Sequence, residues 1–230
     1  MIDLDNQLSF SEKKKLVRKQ ILKIRNEMPQ EEREEKSEAI RQKLYQMPIY
    51  QKADAILAYV DYQSEVITTP LIERALAEGK KVYCPTVQGE EMDFYRIMGL
   101  NELREGYKGI REPIPEPGRK YKPENMAIVG TDVSNIKNQA DRMRQILMLM
   151  PGAVFDKERH RIGYGKGFYD RYLNRMAEVN EKVQVSKQAE FCDICTIALA
   201  FACQMLEEVP AEEHDIRPEM IVTEEQMYEE

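Results

Sequence analysis

Ala53-Asp-Ala-Ile-Leu-Ala-Tyr-Val60 is a short apolar run with the length and aliphatic content of a buried strand. The next thirty-odd residues decide how that strand is used. Residues 68–78 read as a helix: Thr68 or Thr69 caps the start, Pro70 takes the first position and Gly79 closes it. Residues 81–87 make the next strand, and residues 92–97 come after the turn Gln88-Gly-Glu-Glu91. Strand, helix and strand in that order imply parallel strands joined by a crossover helix, hence a sheet covered by helices on both faces. The expected fold is α/β, a three-layer αβα sandwich around a mostly parallel sheet, Rossmann-like in outline.

Upstream, residues 11–28 read as a helix started by Ser9 or Ser11, with Leu16, Val17, Ile21, Ile24 and Met28 on an apolar side. Lys14, Arg18 and Arg25 fall within about 40° of one another at about 100° per residue and form a cationic stripe. Taken alone, that stripe is a solvated charged face on the other side of the helix. Residues 31–47 form a charged helix turning Ala39, Ile40, Leu44 and Met47 inward. Downstream, residues 146–155 are a buried strand broken near its end by Pro151-Gly152, residues 168–176 a helix, and residues 196–201 and 220–223 the last strands. All of this is expected to be one domain over residues 1–230, with 1–10 disordered and 114–142 and 178–195 as surface excursions.

The chain of 230 residues is 42% hydrophobic and 33% charged, a globular composition. Its net charge of −7 argues against nucleic acid as a partner, since such binders carry a basic surplus. It leaves room for a local basic pocket that takes a small anion. No apolar run approaches the ~20 residues of a membrane helix, and the polar start shows no signal peptide. Cys84, Cys192, Cys195 and Cys203 are too sparse for a disulfide framework, so a reducing cytoplasm is the expected compartment. Cys192-Asp-Ile-Cys195 has zinc or redox spacing but no second pair, and reads as ordinary thiols.

The chemistry concentrates in Arg161-Ile-Gly-Tyr-Gly-Lys-Gly-Phe-Tyr-Asp170. Alternate glycines at 163, 165 and 167 let backbone N–H groups converge on an anion, and the following helix adds its positive end. Arg161 and Lys166 put cations beside that backbone, and Asp170, in the first helical turn, is placed to hold Mg²⁺ on the same phosphates. A Walker A loop is absent. A dinucleotide fingerprint needs glycines directly after the strand, whereas the polar segment 156–162 intervenes.

Together with Pro151-Gly-Ala-Val-Phe-Asp156, this loop closely resembles the hallmark of the 5-formyltetrahydrofolate cyclo-ligase (methenyltetrahydrofolate synthetase) family. Other matches run in order along the chain: Lys14-Lys-Leu-Val-Arg18, Glu65-Val-Ile-Thr68 with Leu71-Ile72, Met92-Asp-Phe94, Gly109-Ile-Arg-Glu-Pro113, Leu199-Ala-Phe201 with Gln204, Pro210, His214-Asp215, and Ile221-Val-Thr-Glu224. Ile67 departs from the family, which commonly has an acid there.

The resemblance implies ATP- and Mg²⁺-dependent cyclisation of 5-formyltetrahydrofolate to 5,10-methenyltetrahydrofolate through phosphorylation of the formyl oxygen, in a monomer. It implies that ATP is held by Lys14, Arg18, Arg161, Ile162, Gly163, Tyr164, Gly165, Lys166, Gly167, Phe168 and Tyr169, with Arg161 and Lys166 catalytic. Val60, Glu65, Tyr164, Gly165, Lys166, Gly167 and Phe168 are the implied folate contacts, and Asp170 and Asp215 the implied metal ligands. A small-molecule kinase or sugar-phosphate isomerase on a similar scaffold is the alternative enzyme, and a non-catalytic nucleotide or folate binder the alternative from another class. His160 reads as a surface residue before the glycines, and His214 as either a partner of Asp215 or a plain loop residue.

Overall fold

The computed structural model describes residues 9–122, 144–185, 192–212 and 215–229. The helices are α1 (Phe10–Asn26), α2 (Gln30–Gln46), α3 (Pro48–Lys52), α4 (Thr69–Ala77) and α5 (Phe168–Val185). The strands are β1 (Ala55–Leu57), β2 (Lys81–Gln88), β3 (Glu91–Ile97), β4 (Leu103–Glu105), β5 (Arg111–Pro113), β6 (Arg144–Met150), β7 (Val154–Asp156), β8 (Arg161–Ile162), β9 (Cys192–Leu199), β10 (Met205–Leu206), β11 (Met220–Val222) and β12 (Met227–Tyr228).

The main sheet has the order β12-β11-β9-β6-β1-β2-β3. Its inner strands β11, β9, β6, β1 and β2 run parallel, and an antiparallel neighbour closes each edge, β12 on one side and β3 on the other. Along β6 the side chains alternate between two cores, as a period of two requires. Leu147 and Leu149 pack with Ile40, Leu44, Leu71 and Ile72 from α2 and α4. Ile146, Met148 and Met150 pack with Tyr172 and Met176 from α5. Strands buried on both faces read as continuous apolar runs, which is why β1 and β6 stand out in the sequence.

The start of α4 is fixed differently from the expectation. The Asp61 carboxylate accepts from the Thr68 and Thr69 amides at 3.0 and 2.9 Å, and from the Thr69 hydroxyl at 2.7 Å. A carboxylate reaching back from the β1–α4 connection thus caps the helix, and it complements the positive helix end better than a hydroxyl.

A second small sheet, β10-β7-β8, sits apart from the first. It carries a core of its own, in which Val17 and Ile21 of α1 pack on Ala153, Val154, Ile162 and Val209. The antiparallel pair β7–β8 (Val154 opposite Ile162, Phe155 opposite Arg161) delivers the chain directly into the glycine loop. A strand therefore does precede the glycines, against the sequence expectation of a polar connection; it belongs to this hairpin and not to the parallel sheet.

Two segments expected as excursions are more ordered than their composition suggests. Helix α5 continues to Val185, and β9 begins at Cys192. The Tyr121 amide donates to Phe94 O at 2.7 Å, and its ring is buried, so the chain just past residue 114 packs on β3. Residues 1–8, 123–142, 186–191 and His214 lie outside the described residues. No helix among the described residues is long and apolar enough to cross a membrane.

Candidate active site

Helix α1 sets one wall. Ser9 caps it in a reciprocal box with Glu12. Its cationic stripe faces inward: Val17 and Ile21 are buried beside Lys14, Arg18 and Arg25, while Ile24 is half exposed. The expected separation of an apolar and a solvated basic side is wrong because Ile21 lies directly beside the stripe, about 20° from Lys14 at about 100° per residue, so burying it carries the cations inward. Burying the stripe is possible because each cation finds an acceptor far away in sequence. Lys14 Nζ reaches Asp215 Oδ2 at 2.5 Å and Glu212 Oε2 at 2.8 Å. Arg18 Nε donates to Gly163 O at 2.7 Å. Arg25 donates to Ser64 Oγ at 3.0 Å, Gly152 O at 3.1 Å and Tyr164 Oη at 2.9 Å.

The glycine loop lies between this wall and the start of α5. Gly165 (φ +89°) and Gly167 (φ +62°) occupy the left-handed region that a side chain would strain. At Gly165 an added Cβ would also stand 3.2 Å from Arg18 Nη1, so the missing side chain lets the guanidinium close on the loop. Arg161 is buried and donates from Nη2 to Asp170 Oδ1 at 2.7 Å. The same oxygen accepts from the Ile216 amide at 3.4 Å, which brings the segment carrying Asp215 beside Asp170. His160 bonds Asp156 Oδ2 at 2.8 Å through Nδ1, and that buried carboxylate also takes the Val209 amide at 3.0 Å. This histidine braces the hairpin behind the loop.

Beside the loop opens a cavity of about 400 Å³ in which Val60 and Glu65 share the lining with Arg161, Lys166, Phe168 and Asp170. Glu65 is buried, and its Oε2 accepts the Tyr62 amide at 3.0 Å. Burial raises its pKa above the usual carboxylate value; the Tyr164 hydroxyl, the Arg25 charge and the Tyr62 amide oppose the rise. Tyr164 exposes 43% of its surface, yet its hydroxyl turns inward between Arg25 and Glu65, where burial and the Glu65 charge push its pKa up. Tyr107, meeting Phe168 edge-on at 5.8 Å, completes the aromatic side of the cavity.

The structure thus gathers most of the expected residues, including Gly163, Tyr164, Gly167 and Tyr169, at one cavity. Lys14, Arg18, Asp215 and the loop's own Gly165 fall outside the cavity lining. The Ile162 side chain is packed with Val17 and Ile21 in the small core, which leaves its backbone as the part that can meet a ligand. Residues at the cavity that sequence reasoning did not place here include Arg25, Tyr62, Tyr107 and Glu112. Glu112 is a second buried carboxyl whose pKa burial raises. Cys84 and Cys203, both with thiol pKa values raised by burial, lack the depressed pKa of a reactive cysteine.

Asp170 and Asp215 fit Mg²⁺ in kind, since that ion takes one or two carboxylates and completes its shell with water and substrate phosphates. Among the described residues no group of three or more metal-ligating side chains exists, so an all-protein metal cage is absent there.

Residues 10–224 match the model of the 5-formyltetrahydrofolate cyclo-ligase family. A 5-formyltetrahydrofolate cyclo-ligase of Mus musculus is 29% identical over 197 residues, covering 84% of this chain and 85% of its own. Its counterpart in Haemophilus influenzae is 23% identical over 209 residues, covering 90% and 95%. The NMR structure of Aquifex aeolicus 5,10-methenyltetrahydrofolate synthetase superimposes with a TM-score of 0.70 at 28% identity, covering 94% of this chain and 92% of that one.

Proposed function

The chain belongs to the 5-formyltetrahydrofolate cyclo-ligase family, and on that premise we propose that it converts 5-formyltetrahydrofolate to 5,10-methenyltetrahydrofolate with consumption of Mg-ATP. The observation that carries the proposal is the meeting of a cation-flanked glycine loop and a buried carboxyl, Glu65, at one cavity.

The formyl oxygen attacks the γ-phosphorus of ATP and the bond to ADP breaks. N10 then adds to the activated carbon, the C–O bond breaks with departure of phosphate, and the N10 proton goes to solvent. An amide-like oxygen is a poor nucleophile, so the protein contributes position and charge neutralisation, with no covalent intermediate on the chain. Arg161 and Lys166 neutralise the transferred group beside the loop amides. Lys14 and Arg18 serve the outer phosphates from behind the loop, where they hold Asp215 and Gly163 O in the free protein. Glu65 accepts hydrogen bonds from pterin N–H donors, and Val60, Tyr164 and Phe168 border the ring.

Asp170 and Asp215 would hold Mg²⁺, which when bound supplies charge neutralisation of the phosphates. Each carboxylate is paired with a cation in the free protein, Arg161 and Lys14 respectively. A polyanion that claims those cations leaves two carboxylates whose natural counterpart is a divalent cation, so the two ligands favour each other.

The test is absorbance at the methenyl-folate band with 5-formyltetrahydrofolate, ATP and Mg²⁺ each withheld in turn. A rise that requires all three is expected. No rise, or one independent of ATP, overturns the proposal.

A further inference from the structure

Arg25 is 3% exposed and lies at the opposite end of α1 from Lys14, about 16 Å along the helix. Its guanidinium nevertheless makes three bonds to three separate segments: Ser64 next to Glu65, Gly152 before the β7–β8 hairpin, and Tyr164 in the glycine loop. Ser64 in turn donates to Asn26 on the same helix, so the end of α1 grips the segment that carries Glu65 from two positions. The Gly152 carbonyl is shared with Gln204, whose side-chain amide donates to it at 2.9 Å. A buried charge with so many geometric obligations is costly unless all of them are met, and it fixes the groups that meet them.

We propose that Arg25 is a positioning residue that locks the Glu65 carboxylate and the Tyr164 hydroxyl into one arrangement, tying substrate recognition to the glycine loop. The inference rests on the reading of Glu65 as the folate-recognising acid. Tyr164 is the link: its hydroxyl accepts from Arg25 at 2.9 Å, donates to Gly152 O at 3.5 Å, and lies close enough to Glu65 for each to shift the other's pKa. A loop that shifts on binding phosphate therefore moves a hydroxyl that neighbours Glu65 and shares Arg25 with the Ser64 beside it, and a pterin on Glu65 restrains the loop. The groups around Glu65 are Arg25 from α1, Tyr164 from the loop, Asp61 and the Tyr62 amide from its own connection, Tyr59 beyond β1, and Tyr169 on α5 with Arg161 behind it. Arg25 is the cation whose charge reaches Glu65 most strongly, and Asp61 opposes it.

The experiment tracks the Glu65 carboxyl carbon by NMR across pH in protein labelled at glutamate, with Glu65→Gln used to assign the resonance. It is paired with KM for 5-formyltetrahydrofolate and for ATP. In Arg25→Gln the Glu65 titration should move up by about one pH unit, because the opposing charge is gone and the desolvation stays. The folate KM should rise about tenfold and the ATP KM by less than about twofold. Arg25→Lys, which keeps the charge and loses the fork, should return the titration towards wild type while leaving the folate KM raised. An unmoved titration, or equal rises in both KM values, overturns the role. Should Arg25→Gln fail to fold, Tyr164→Phe removes only the bridging hydroxyl, and an unchanged Glu65 titration there overturns it equally. The titration needs no substrate, so a chain that shifts it yet fails to cyclise 5-formyltetrahydrofolate upholds Arg25 and refutes only the choice of substrate.

Discussion

Replacing Asp170 by asparagine keeps the shape of the side chain and removes its charge. In the free protein that carboxylate takes Arg161 Nη2 at 2.7 Å and the Ile216 amide at 3.4 Å. The Arg161 side chain is 4% exposed and that of Asp170 28%, so the pair stands between the surface and the interior. Exposed pairs contribute about 0–1 kcal/mol, and breaking a fully buried one costs about 3–5 kcal/mol, which places Asp170→Asn near 2–3 kcal/mol. Arg161 has little else to fall back on, because its Nε has no partner and its bond to Pro151 O is long at 3.4 Å. For a chain of this size 1 kcal/mol moves Tm by about 2–4 °C, so a drop of about 5–10 °C is expected. Methenyl-folate formation should be lost as well. The two losses separate in a cycle with Arg161→Met: the double variant should recover about 1–2 kcal/mol relative to Asp170→Asn, since no buried charge is then orphaned, while remaining inactive. Urea melts measure the first effect and absorbance the second. An unchanged melt in Asp170→Asn, or no recovery in the double variant, refutes the ion pair as a determinant of stability; normal turnover refutes Asp170 as a metal ligand.

Gly165→Ala puts a Cβ at a φ of +89° and 3.2 Å from Arg18 Nη1. The left-handed strain costs about 1–2 kcal/mol, and the ATP KM should rise more than the folate KM; the reverse order would contradict the placement of Arg18 on the phosphate side. Glu65→Gln should raise the folate KM far more than the ATP KM, and stabilise the protein. A carboxyl whose pKa is higher folded than unfolded contributes stability at low pH that is lost as pH rises through the folded value. Glutamine suffers no such loss, so melts of the variant and wild type should diverge progressively above pH 5, by about 1.4 kcal/mol for each unit of the upward shift. Identical melts from pH 5 to 8 would show that Glu65 is not held against its burial.

The fold could be read because its central strands announce themselves locally. Ala55-Ile-Leu57 and Ile146-Leu-Met-Leu-Met150 are buried on both faces, so every position is apolar and no partner need be known. The less legible elements depend on distant neighbours. β9 begins with Cys192-Asp193, which looks like loop, and is a strand because β6 offers it a ladder from Arg144 onward. The hairpin β7–β8 was hidden by Lys157-Glu-Arg-His160, a charged turn whose conformation is set by the Asp156 carboxylate gripping the His160 amide and ring. Asp61 as the cap of α4 sits outside the usual capping position, so a search at the helix start finds only threonines.

The site divides along the same line. The glycine loop was legible because its function needs backbone freedom, and freedom leaves a compositional mark: glycines on alternate positions beside Arg161, Lys166 and Asp170. Arg25 leaves none. Nothing in its neighbourhood distinguishes it from Lys23, which is exposed at the same end of α1; its partners stand 39, 127 and 139 residues away. One clue was available in the arithmetic of the helix. Ile21 and Arg25 are four residues apart and therefore share a face, so a helix that buries Ile21 carries Arg25 inward with it. Once Arg25 is inside, the cost of an uncompensated charge demands acceptors, and Tyr164 and Ser64 are the side chains that reach it next to the loop and the acid. The same face also brings Lys14 and Arg18 to the loop, so an amphipathic helix read only for its apolar residues conceals the wall of the candidate site. A helix whose cations and aliphatics interleave at i, i+4 is better tested for burial of both before its charges are assigned to solvent.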